Sequence, residues 1–225
     1  YYASLVSSHT FAGATETHTT MSALAGISNK LPRSHMHFCS HVNRHGGGVI
    51  LSIRIDFLES CSNWDVCSLE DGRILYFWSD SEQGALDVFL CYLDPHDFNK
   101  QVRSLGSIRQ HIRPRAHTLL MGDFNFVMQD LDRINNNLEV GSIRCKKQAA
   151  YWNRHFQAFT EFEQPLYTCK YSSGMSKLDR TYTSLAPLEF SSVGSACNLL
   201  ESPSGLSDHS PVSIRFFDLV NDASN

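Results

Sequence analysis

The apolar run Thr118-Leu119-Leu120-Met121 ends directly on Gly122-Asp123-Phe124-Asn125. It reads as a buried strand that stops where its polar groups are delivered. Residues 211–216, Pro-Val-Ser-Ile-Arg-Phe, read as another strand, this one leaving Ser207-Asp208-His209. Polar side chains set at the ends of apolar strands constrain the fold more than any other feature here. The strands need covered faces, while their ends stay open.

The rest of the chain fits that frame. A short strand over residues 10–14 leads into Glu16-Thr17-His18. Gly46-Gly47-Gly48 breaks the chain before a strong strand over 49–53. Residues 73–78 and 86–92 are β-rich, with a turn expected over 79–84. Phe98, Val102, Leu105, Ile108 and Ile112 recur at helical spacing within 95–112, and Pro114 ends that helix. Trp152, Phe156 and Phe159 predict a second helix over 149–162 with an apolar core face. A strand over 178–182 and a loop over 203–206 complete the order. Strands outnumber helices, and no repeat or linker is visible. The expectation is one α/β domain over residues 1–225: two mixed sheets packed face to face with helices outside, a four-layer α/β/β/α sandwich.

Asp and Asn at one strand end, with Asp and His at another, suit hydrolysis of a phosphate ester. Alternation along a strand would turn Asp123 and Asn125 the same way and Phe124 into the core. The formal charge of −4 does not mark a general polyanion binder, although a metal and a local basic patch would allow DNA binding. Basic residues cluster over 103–115 and 144–147, as phosphate-facing segments or as solvated helix faces. Seven cysteines with no Cys-x-x-Cys pair fit free thiols in a reducing, intracellular setting. His35, His37, His41 and His45 lack the paired spacing of a zinc site. No apolar run is long enough to span a membrane, and no signal peptide is visible.

These phrases together resemble the endonuclease/exonuclease/phosphatase family, from Phe11 to Phe217. Glu16-Thr17-His18 is similar to the family's Gln-Glu-Thr-His, with Thr15 in place of Gln. Gly46-Gly47-Gly48-Val49-Ile50 resembles its Gly-Gly-Val-Ala-Ile packing strand. Cys91-Tyr92-Leu93-Asp94-Pro95 resembles Asn-Val-Tyr-Ala-Pro, and Gly122-Asp123-Phe124-Asn125 matches without departure. Ser176-Lys177-Leu178-Asp179-Arg180 resembles Ser-x-Ile-Asp-Tyr. The resemblance implies a DNase I-like sandwich and a metal-dependent phosphodiesterase using Mg²⁺, with Mn²⁺ as a substitute. Glu16 would be the main metal ligand and Asp208 a second metal or water ligand. The Tyr92 hydroxyl would contact the scissile phosphate. Asp123 would orient or deprotonate the attacking water, and Asn125 would donate to a non-bridging oxygen. Asp179 would hydrogen-bond His209 and favour the imidazolium that stabilises the pentavalent phosphate.

Asp132-Arg133, Thr168 and Ser176-x-x-Asp179 look most like the endonuclease domains of non-LTR (LINE-type) retrotransposons. Abasic-site nucleases tend to carry Trp and Arg before the equivalent Asp, where this chain has Met175, Ser176 and Lys177. That branch implies nicking of target DNA to leave a priming 3′-hydroxyl. It also implies a reverse transcriptase on the same parent polyprotein, and a nuclear setting. The alternatives are another phosphodiesterase or phosphatase of this fold, or a non-catalytic truncated remnant. The family's opening strand, with its Asn, is expected to be missing, since only fifteen residues precede Glu16 and none forms Asn-x-x-Gly.

Overall fold

The computed structural model describes residues 1–18, 29–41, 47–140, 146–164, 166–193, 195–201 and 207–216. His45, Arg144 and the loop expected over 203–206 lie outside the described residues. The chain forms two compact units, Tyr1–Phe124 and Asn125–Asn225.

In the first unit, β1 (Phe11–Thr15), β2 (His35–Ser40) and β3 (Val49–Arg54) form an antiparallel sheet with β3 central. A second, mixed sheet runs β4 (Asn63–Leu69), β5 (Ile74–Ser81), β6 (Gly84–Tyr92) and β7 (His117–Asp123). β4–β5–β6 are antiparallel, and β7 lies parallel to β6. Alternation sets the core between the sheets. Val49, Leu51 and Ile53 of β3 meet Leu75 and Phe77 of β5 and Val88, Leu90 and Tyr92 of β6. Helix α1 (Tyr2–Ser7) covers the outer face of the first sheet, where the Tyr2 hydroxyl meets Ser52 Oγ at 3.1 Å. After β3, α2 (Ile55–Ser60) adds Phe57 to an aromatic group with Phe11 and Phe77. Helix α3 (Phe98–His111) covers the outer face of the second sheet, with His111 edge-on to Tyr76. This gives the expected layer order, helix–sheet–sheet–helix.

Two local expectations change. β5 continues to Ser81, so the turn is two residues rather than 79–84, because the antiparallel pairing with β6 persists to Ser81–Gly84. The buried stripe of α3 is Gln101, Ser104, Leu105 and Ile108. Gln101 replaces Val102 on that stripe because its Nε2 donates to Asp94 O at 2.6 Å.

In the second unit, β8 (Arg133–Asn135), β10 (Cys169–Tyr171) and β11 (Gly174–Ser176) form one antiparallel sheet. β9 (Thr160–Glu161) pairs with β12 (Asp179–Thr183), and β13 (Ser195–Leu199) with β14 (Val212–Phe216). The described residues also form the α-helices α4 (Lys146–His155) and α5 (Pro187–Val193). The expected helix over 149–162 starts earlier and ends at His155. Its face is completed by Phe156 beyond the helix end, which stacks on Trp152 at 4.3 Å. Thr160 and Glu161 are strand, drawn off by pairing with β12.

Candidate active site

In the first unit the inward alternation of β6 ends on Tyr92, which is buried among the sheet residues. The Tyr92 hydroxyl donates to Glu16 Oε1. Glu16 follows β1 in a left-handed conformation (φ 52°) and is exposed. Burial pushes the Tyr92 hydroxyl pKa far up, and the bond to Glu16 and the charges of Glu16 and Asp123 add to this. Tyr92 is therefore a neutral donor across the physiological range. The Arg73 guanidinium lies over its ring at 5.2 Å and is itself held by Asp94 at 3.1 Å.

Asp123 is the last residue of β7 and stands in register with Tyr92 on β6. It is buried, 2% exposed. Gly122 before it has φ +134°, and a Cβ there would lie 2.0 Å from Cys91 O. Only glycine lets β7 come this close to β6. Glu16, Tyr92 and Asp123 thus gather at one end of the first unit. Phe124 is fully buried. Asn125 is not on the strand: β7 stops at Asp123 and Asn125 adopts φ 52°. Strand alternation therefore does not set its direction, which corrects the spacing argument.

In the second unit Asp179 opens β12, and its Oδ2 lies 2.7 Å from His209 Nδ1. Thr168 Oγ1 accepts from the amides of Leu178 and Asp179, each at 3.0 Å. His209 sits in a turn closed by its own amide donating to Ser207 Oγ at 3.0 Å. Asp208, beside it, is exposed. Cys169, Asp208 and His209 each offer a ligand atom, all within 4.8 Å of one another.

Sequence reasoning missed what holds this group. Alternation along β12 turns the buried Arg180 away from Asp179 into an ion cluster with buried Asp132 and half-buried Glu161. Its guanidinium is 2.6 Å from Asp132 Oδ2 and 2.6 Å from Glu161 Oε1. Asp132 also accepts the amides of Met128 and Gln129. Arg133 Nε donates to Ser176 Oγ at 3.0 Å. The Asp132-Arg133 phrase therefore braces the strands behind Asp179. The available signal was Leu178, Arg180 and Tyr182 at period two, a charge on an otherwise apolar face.

Other candidates turn out to be structural. His35 Nε2 meets His9 O at 2.8 Å, and His37 bridges Ser52 Oγ and Pro32 O. Arg113, in the basic stretch 103–115, faces carboxylates rather than solvent: Asp87 at 2.7 Å and Asp80 at 2.8 Å. Arg103, Arg109, Lys146 and Lys147 are exposed. Among the described residues, no helix is long and apolar enough to cross a membrane, and six cysteines are free.

A model of the endonuclease/exonuclease/phosphatase family matches residues 7–209. No curated protein gives a significant match. Among solved structures, the endonuclease domain of TRAS1, a telomere-specific non-LTR retrotransposon, aligns with TM-score 0.58 and 12% identity, over 88% of this chain and 90% of that one. An AP endonuclease from Archaeoglobus fulgidus aligns with TM-score 0.64 and 14% identity, over 92% and 88%. Danio rerio (D. rerio) TDP2 complexed with single-strand DNA product aligns with TM-score 0.59 and 13% identity, over 94% and 86%. At these identities the likeness is one of fold.

Proposed function

The chain belongs to the endonuclease/exonuclease/phosphatase family, and from that premise we propose that it is a divalent-metal-dependent DNA endonuclease of the non-LTR retrotransposon type. The observation that carries this reading is the Asp179–His209 pair at 2.7 Å with Asp208 beside it. A His oriented by one carboxylate and flanked by another suits charge stabilisation at a phosphate.

The donor set fits a hard cation. Glu16 and Asp208 present exposed carboxylate oxygens, the ligands that Mg²⁺ accepts beside water and phosphate oxygens. Each is proposed as a ligand for such an ion, which would supply Lewis-acid neutralisation of phosphate charge. The chain's own residues do the remaining work. Asp123 takes the proton of the attacking water at a carboxylate oxygen. Tyr92, kept neutral by its surroundings, would turn the hydroxyl proton it gives here to Glu16 toward the phosphate. Asn125 donates from its amide to a non-bridging oxygen. With His209 Nδ1 committed to Asp179, Nε2 is the nitrogen that serves the pentavalent phosphate. Exposed Arg103, Arg109, Lys146 and Lys147 are candidates for backbone contacts that place the duplex without reading its sequence. The retrotransposon branch is supported by Thr168, the Asp132-Arg133 phrase and the fold shared with the TRAS1 domain.

Supercoiled plasmid with Mg²⁺ tests the reading. Nicked circles that disappear with EDTA or with His209→Ala, and whose ends a DNA polymerase extends, support it. Intact plasmid alongside turnover of a small phosphodiester contradicts it.

A further inference from the structure

The thiol of Cys169 has no part in that reaction, yet the fold places it against His209. Cys169 of β10 and His209 form an isolated antiparallel bridge. The two flanking hydrogen bonds are Lys170 N to Asp208 O at 2.8 Å and Ser210 N to Thr168 O at 2.7 Å. They leave Cys169 and His209 themselves as a non-hydrogen-bonded pair, the kind in which facing side chains come closest. The bend at Asp208 brings its carboxylate round to the same place, so that all three ligand atoms fall within 4.8 Å. Cys169 is 5% exposed and packs with Val127, Leu178 and Tyr171. Asp208 is exposed, which keeps one side of the group open.

We propose that Cys169, Asp208 and His209 form a binding site for a thiophilic divalent cation of the Zn²⁺ class, and that its occupation withdraws His209 and Asp208 from catalysis. One sulfur, one nitrogen and one oxygen donor leave a fourth tetrahedral position for water, a set that Zn²⁺ takes readily. Mg²⁺ selects oxygen ligands and does not compete for the thiolate. The Asp179 carboxylate on the imidazole supplies the outer contact that orients zinc-bound histidines. Binding releases the thiol proton to solvent, and no redox change is involved. The inhibitory half of this proposal rests on the endonuclease reading, whereas the binding half does not.

Co²⁺ titration of the full chain tests the binding. Wild type should develop a sulfur-to-cobalt charge-transfer band at one equivalent. Cys169→Ser, close in volume, should lack it, while Cys197→Ser on β13 should keep it. Asp208→Asn, a change on an exposed bend that leaves the core alone, should weaken Co²⁺ binding by at least about tenfold. A wild type without the band, or a band that survives Cys169→Ser, overturns the site. In plasmid nicking at fixed Mg²⁺, Zn²⁺ should slow wild type, and Cys169→Ser should need at least about tenfold more Zn²⁺ for the same slowing. Equal sensitivity in the two proteins overturns the inhibition. A chain that binds Co²⁺ through Cys169 but never nicks DNA would refute the endonuclease reading and leave the metal site standing.

Discussion

Tyr92 and Asp179 occupy comparable places, each at one end of a strand and each hydrogen-bonded to a proposed site partner. Tyr92 arrives there on a nine-residue strand whose inward residues Leu86, Val88 and Leu90 pack in the apolar core. Asp179 opens a five-residue strand that pairs over two residues with β9. Behind Asp179 lie the buried Arg180–Asp132 pair, the half-buried Glu161 that also meets Arg180, and the Thr168 hydroxyl. The first unit also has a buried ion pair, Asp87 with Arg113, but it sits five residues back along β6 from Tyr92. Long strands can place a side chain through packing alone. Short ones need directional polar contacts, which hold geometry well and tolerate the loss of one member badly.

That contrast can be broken most forcefully at Asp132. Asp132→Ala strands the buried Arg180 and should lower stability by about 3–5 kcal/mol in urea unfolding. Joint replacement by Asp132→Leu and Arg180→Met should recover much of that loss, because it removes both deeply buried charges and leaves Glu161 to pair Lys177 at 3.4 Å. In the first unit the equivalent damage needs an apolar truncation: Phe77→Ala should cost about 3–5 kcal/mol. A smaller effect is expected at Gly122, where Ala forces a Cβ against Cys91 O. It should cost about 1–3 kcal/mol and reduce nicking further than that loss explains, because Asp123 is displaced. Thr168→Val keeps the shape but removes the acceptor for two amides. We expect about 1–3 kcal/mol lost and slower nicking with unchanged far-ultraviolet circular dichroism.

The smallest effect is one of pH. Burial lowers the His37 pKa, with the His35 charge adding to it and the Pro32 carbonyl opposing it. A pKa below the unfolded value of about 6.5 means the neutral ring stabilises the fold above that pH. The contribution fades as pH falls through the folded value. Stability should therefore decline between about pH 7 and 5, and His37→Gln should flatten that slope. Asp94 acts lower on the scale. Burial raises its pKa, but the amides of His96 and Asp97 and the charges of Arg73 and Lys100 outweigh that and leave it lowered. Its share is present above the usual carboxylate pKa of about 3.9 and disappears in stronger acid.

The same contrast explains what could be read from the chain. β3, β5, β6, β7 and α3 declare themselves because their apolar residues repeat over several turns or pleats. β8, β10 and β11 have three residues each, too few for a period, and are held by pairing that only the fold supplies. β2 carries two histidines and escapes a hydrophobic reading, although His35 and His37 are stacked at 6.5 Å and bonded to backbone carbonyls. At the site, the phrases around Glu16, Tyr92, Asp123 and Asp179 locate residues that the structure sets at strand ends. Asn125 lies two residues past the end of β7, where the strand rule no longer applies. Cys169 was invisible, since its relation to His209 exists only across a bridge joining positions forty residues apart.

The measurement that bears most directly on the account is plasmid nicking by Asp123→Asn and Asp179→Asn, one change in each unit, with Mg²⁺ and matched folded protein. Each should lose about 10²–10⁴-fold in rate, the usual share of a positioned acid, base or its orienting partner. Full activity in either variant would contradict the catalytic role proposed for that residue.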